Sequence, residues 1–157
     1  MNRPSLYAAF GDKRALYLKS LDWYRRRSAA MIRDALADDP PLATFLRRFY
    51  GAALESYRPG EADARGCFLV GTATTEAASD PGVRDLLQDG VRRLDEVFVR
   101  RITRAVERGE IDRAADPTAL AYLASATLHT LAHRARSGQA RAELDALIDA
   151  SIGVICR

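Results

Sequence analysis

Long apolar runs are missing from this 157-residue chain. No stretch approaches the roughly 18 consecutive apolar residues of a membrane-crossing helix, so no membrane partner is expected. The N-terminus also lacks the basic region and apolar core of a secretory signal. Cysteine is scarce: Cys67 and Cys156 stand far apart and form no CxxC pair. That argues against a disulfide scaffold and for a reduced, cytoplasmic setting. There is no GxSxG, no phosphate-cradling glycine loop and no HExxH. The sequence therefore offers no catalytic motif, and neither an enzyme activity nor a cofactor is expected. His129 and His133 share a helix face four residues apart, a spacing that permits shared metal coordination. No carboxylate or cysteine stands at a matching position, so the pair reads as a helix or subunit contact and no metal is expected. Cys67 lies inside an apolar run and reads as a buried, inert thiol.

What is present suits one soluble domain. Apolar residues make up 48% and charged residues 29% of the chain, enough for a core and a solvated surface. The net charge of +3 is unevenly placed. Residues 1–36 carry eight Lys/Arg against three acids, while the remainder carries sixteen against eighteen. Positive charge gathered at one end is what a phosphate backbone attracts, although on charge alone a solvated face is the simpler reading.

Periodicity predicts about seven helices and no clear strand, an all-α fold. In the opening segment Pro4 suits a first helical turn, Leu6 and Phe10 share a face, Gly11 supplies a stop and Asp12 fits an N-cap. A long helix is expected from Lys13 to Leu36, ended by Asp38-Asp-Pro-Pro41. The next spans Pro41 to Tyr57, with Leu42, Phe45, Leu46, Phe49, Tyr50, Ala53, Leu54 and Tyr57 as its apolar stripe. Residues 58–63 read as a loop. Gly66 to Ala78 is ambiguous: propensity allows a strand, while length and alanine content favour a buried helix. Asp80-Pro81 and Asp116-Pro117 each start a helix by the same device, an aspartate cap followed by proline. The final helix runs from about Ala140 to Ile155.

The pattern Ser5-Leu6-Tyr7-x-x-Phe10-Gly11-x-Lys13-x-x-Leu16 resembles the recognition helix and following helix of the TetR family of transcriptional regulators. Gly66-Cys67-Phe68-Leu69-Val70, followed by Asp80-Pro81-Gly82-Val83, resembles the ligand domain of one subgroup, where the segment is a central helix. The resemblance implies a TetR-like helical bundle. Residues 1–36 would be the remnant of a helix-turn-helix DNA-binding domain, and 37–157 a ligand-binding and dimerisation domain. In the family two helices precede this point, so the resemblance implies that the front of the DNA-binding domain is not in this chain. It also implies a ligand-responsive repressor, released from operator DNA by a small apolar molecule. The alternative is a dimeric ligand-binding module without DNA activity, with operator DNA as a partner only where the first helices are present.

Residue roles follow from the resemblance. Arg3, Ser5 and Leu6 would lie near base edges, and Tyr7 and Lys13 near phosphates. The other reading is that Leu6 and Tyr7 pack against a neighbouring helix. An apolar pocket would draw on Trp23, Phe45, Phe49, Phe68, Thr72, Thr75, Glu76, Leu94 and Phe98, or these residues form an ordinary core. The run Thr72, Thr75, Glu76 is expected to face the pocket, because polar groups on an apolar helix need partners. Leu120, Leu123, Thr127, Leu128, Leu131, Leu144, Leu147, Ile148 and Ile152 either cover their own core or join a partner's helices in a homodimer.

Overall fold

The computed structural model describes residues 9–57 and 66–157. Arg3, Ser5, Leu6 and Tyr7, with the loop at 58–63, lie outside the described residues. Ala9 and Phe10 end a helix, and Gly11 takes the left-handed conformation expected of a stop, with φ 90°. Helix α1 (Lys13–Ala35) follows, capped by Asp12, whose carboxylate accepts the Ala15 N–H at 2.7 Å. Its exit runs through Asp38 and Asp39, with φ of 64° and 45°, a region that aspartate tolerates. Arg104 and Arg108 hold the Asp39 carboxylate in place.

Helix α2 (Leu42–Tyr57) is the centre of the molecule. All eight residues of its expected stripe are buried. Phe45, Phe49 and Tyr50 pack around Phe98, with the Phe49 and Phe98 ring centroids 5.4 Å apart and edge to face. The N-terminus of α2 is capped from a distance: Leu42 N–H donates to Glu110 at 2.5 Å. Glu110 also pairs at 3.0 Å with Arg101, whose side chain is only 2% exposed and also donates to the Pro40 carbonyl.

The segment after residue 66 departs from a plain buried helix. Leu69–Ala73 is wound as a π-helix and runs into a short α3 (Thr74–Glu76). Only Ala73 in this stretch is buried, with Ala77 just beyond it. Gly66, with φ 65°, lies so close beneath the next-to-last helix that an added Cβ would sit 2.9 Å from the Ala132 carbonyl oxygen.

Helices α4 (Pro81–Glu107) and α5 (Pro117–Arg136) begin as the repeated Asp-Pro device requires. Asp80 accepts from the Gly82 and Val83 amides, and Asp116 from Thr118 and Ala119. Helix α6 (Arg141–Ile155) has Ala140 at its N-cap, and Glu143 reaches back to the Ala140 N–H at 3.3 Å. A main core joins α2, α4, α5 and α6, and a smaller one joins α1 to the π-helical segment and α4 through Leu21, Ala73, Ala77 and Val83. Among the described residues there is no strand, and no helix is long and apolar enough to cross a membrane.

The two last helices correct part of the interface expectation. Leu128, Leu131, Leu144, Ile148 and Ile152 are buried in the chain's own core. Leu120 and Leu147 pack partly against it. Thr127 is tied inward, with its hydroxyl 2.8 Å from Ser151 on α6. Leu123 alone of the nine is exposed to solvent, together with Tyr122 and Val154.

Candidate ligand cavity

A cavity of about 230 Å³ opens between α1, α2, the π-helical segment, α4 and α5. Helix α1 supplies Tyr24, Ser28, Met31 and Ile32, on the inward side that Leu21 and Ala35 anchor, with the exposed Ala29 at the edge. Helix α2 supplies Phe49, Ser56 and Tyr57, and the segment after Gly66 supplies Cys67, Leu69 and Val70. Helix α4 closes one side with Leu87, Val91 and Leu94, and α5 another with Leu128 and His129. Gly90 widens the α4 wall, since a Cβ there would meet nothing within 4 Å. The interior is mainly apolar with a few polar groups, the usual make-up of a small-molecule site.

Burial sets the state of those polar groups. It pushes the hydroxyls of Tyr24 and Tyr57 well above the usual tyrosine range, so both are neutral donors. Tyr24 donates to the Cys67 sulfur at 3.5 Å. Burial lowers His129, only partly opposed by the charge of Asp95. The His129 ring is therefore held neutral, and the cavity presents hydrogen-bonding groups without internal charge. The charged groups, Arg25, Arg26 and Arg93, stand on its border.

The cavity is joined mechanically to the start of α1. Phe68, directly after Cys67, packs against both Tyr17 and Tyr24, with ring centroids 6.2 and 5.7 Å away. The Tyr17 and Thr72 hydroxyls lie 3.2 Å apart. Arg14, near the start of α1, forks onto the Asp80 carboxylate at 2.6 and 2.9 Å. Lys13, the phosphate-side candidate, is exposed at the first position of the same helix.

The expected pocket residues divide. Phe49 and Leu94 line the cavity. Phe68 and Thr72 sit beside it, between the π-helical segment and α1. Phe45 and Phe98 belong to the closed core. Trp23 is 61% exposed on the outer side of α1, with Arg27 over its ring. Thr75 and Glu76 face solvent, which corrects the expectation that they point inward. Thr72 satisfies its hydroxyl on the Phe68 carbonyl four residues back and needs no cavity partner, while the π-turn before Thr75 and Glu76 rotates them outward. The cavity also takes in Tyr24, Tyr57, Cys67, Leu128 and His129, none of which sequence reasoning places there. By periodicity Tyr57 reads as a stripe residue, and the resemblance makes Leu128 an interface residue; the inward face of α1 is the signal that points to Tyr24. Among the described residues no group of three or more His, Cys, Asp or Glu is placed to hold a metal ion.

The described residues form an all-α bundle with a cavity walled by α1, the helix that begins at the exposed Lys13. A family profile described as "Tetracyclin repressor-like, C-terminal domain" matches residues 43–151, well over half the chain. The chain belongs to this TetR family of DNA-binding transcriptional regulators. Over 154 residues it is 23% identical to the uncharacterized HTH-type transcriptional regulator YezE of Bacillus subtilis, covering 98% of this chain and 79% of that protein. It is 25% identical over 136 residues to the HTH-type transcriptional repressor ComR of Escherichia coli, covering 86% of this chain and 64% of ComR. Among solved structures it is similar to a cysteine mutant of the TetR family transcriptional regulator CifR complexed with 26-bp double-strand operator DNA. That match has 25% identity, a TM-score of 0.83, and covers 98% of this chain and 79% of that one. The relatives are regulators, not enzymes.

Proposed function

We propose that the chain is a ligand-responsive repressor in which a small, largely apolar molecule enters the cavity and loosens the grip on operator DNA. One observation carries this reading: α1 both walls the cavity, through Tyr24 to Ile32, and begins at the basic end, with Lys13 exposed and Arg14 tied to Asp80. Residues 1–36 then belong to the DNA-facing part and 37–157 to the ligand-binding and dimerising part. A ligand that prefers one placement of α1 shifts the population toward it, and by linkage DNA and ligand weaken each other's binding. The names of ComR, a repressor, and of CifR bound to operator DNA support the DNA partner and the direction of control.

The same reading includes a homodimer. Leu123, Ala126 and Tyr122 on α5, with Ala150, Gly153 and Val154 on α6, form an exposed face of small and apolar side chains. Small residues let helices approach closely, and a two-fold pair would present two DNA-facing ends to two half-sites. Transcript levels of the neighbouring genes test the repressor. Deleting the gene should raise them; unchanged or lower transcript levels contradict repression.

A further inference from the structure

The border of the cavity carries more positive charge than it neutralises. Arg25, Arg26 and Arg93 all line it. Asp22 accepts from Arg25 and Arg26, each at 2.8 Å. Asp89 accepts from Arg93 at 2.7 Å and must also serve Arg92, again at 2.7 Å. Two carboxylates thus face the three bordering guanidinium groups, and the fourth guanidinium, Arg92, has its own carboxylate in Glu96 at 2.6 Å. Arg25 is the group left short. Its Nη1 stops 3.6 Å from Asp89, beyond a hydrogen bond, and its Nε is buried with no partner. An atom kept from water is kept from a ligand too, so the donor open to one is Nη1, and a guanidinium matches a carboxylate. Behind it the wall is apolar, with Ile32, Phe49, Leu94 and Leu128.

We infer that the cavity's ligand is an amphipathic monoanion, its carboxylate set against Arg25 and its hydrocarbon body among Phe49, Leu94 and Leu128. This rests on the cavity being the regulator's ligand site. One spare positive charge suits a single carboxylate, and about 230 Å³ suits a short chain or one ring rather than a large lipid. A neutral molecule of the same shape would fill the apolar part and leave Arg25 unsatisfied.

Calorimetric titration with straight-chain carboxylates from hexanoate to decanoate, each beside its matched alcohol, tests the inference on the whole chain. In the parent protein the best carboxylate should bind at least about tenfold more tightly than its alcohol, the least that a charge-assisted hydrogen bond is worth. Arg25→Gln should bring that ratio close to one with little change for the alcohol. Arg25→Lys, which keeps the charge, should retain part of it and guards against a merely unfolded variant. Leu94→Trp, which fills the cavity, should abolish binding of both series. Alcohols binding as tightly as carboxylates, or a preference that survives Arg25→Gln, overturns the anion while leaving the cavity standing. Carboxylate binding that survives Leu94→Trp places it elsewhere and overturns the proposal. Binding by neither series overturns the ligand-site reading and this inference with it.

Discussion

Gly66 and Asp80 stand at the two ends of the segment that leads into α4, and each makes a single-residue prediction. At Gly66 an alanine meets two problems together, a left-handed backbone and the Ala132 carbonyl oxygen 2.9 Å from the new Cβ. Gly66→Ala should lower unfolding stability by more than about 1 kcal/mol in a denaturant titration, the usual cost of alanine where φ is positive. At Asp80, hydrogen bonds from Arg14 are the main cause holding the carboxyl at about 2, below its ordinary 3.8. A depressed carboxyl contributes stability above its unfolded value, and that contribution is lost as pH falls through its folded value. Asparagine caps a helix as well as aspartate does but cannot pair with Arg14. The stability gap between the parent and Asp80→Asn should therefore hold steady near neutral pH and close as pH falls from about 4 toward 2. A gap independent of pH would mean that the Arg14 pair adds nothing. Deeper in, Glu110→Ala would leave the buried Arg101 without its carboxylate and Leu42 without its cap. A loss of about 3–5 kcal/mol in the same titration is expected, as when one partner of a buried ion pair is removed.

At the scale of elements, much of the architecture was legible in the sequence. Two Asp-Pro pairs start α4 and α5, Gly11 and Asp12 mark the boundary before α1, and the α2 stripe is buried residue for residue. These signals are local, and nothing tertiary competes with them. The π-helical turn at Leu69–Ala73 was not legible, because one inserted residue leaves composition and rough periodicity unchanged while rotating the residues beyond it. Thr75 and Glu76 therefore face outward against expectation. The pocket was legible only in part for a different reason. Phe45, Phe49, Phe98 and Leu94 are all apolar and all on inward faces; which of them meet a void rather than one another depends on the fit of five elements, which no single helix records. Likewise Leu128 and Leu131 read alike with Leu123 on α5, yet only Leu123 points away from the core.

Across the whole molecule, one helix, α1, is shared between the cavity wall and the basic end. The outer face of α5 and α6 should hold two copies together. Sedimentation is expected to give a dimer at micromolar concentration, and Leu123→Glu combined with Val154→Glu a folded monomer. A parent chain that stays monomeric contradicts the dimer. On the proposed function the cavity is the control point, and the ties from Phe68, Thr72 and Asp80 to Tyr24, Tyr17 and Arg14 are the route by which its occupant would be felt at Lys13. Amide hydrogen exchange across α1, with and without saturating octanoate, tests that route most directly, since opening of separate segments is read separately. Altered exchange is expected both at the cavity wall, Tyr24 to Ile32, and in the first turns of α1, Ala15 to Leu21. Octanoate that alters exchange at the cavity wall but leaves Ala15 to Leu21 unchanged would contradict the coupling.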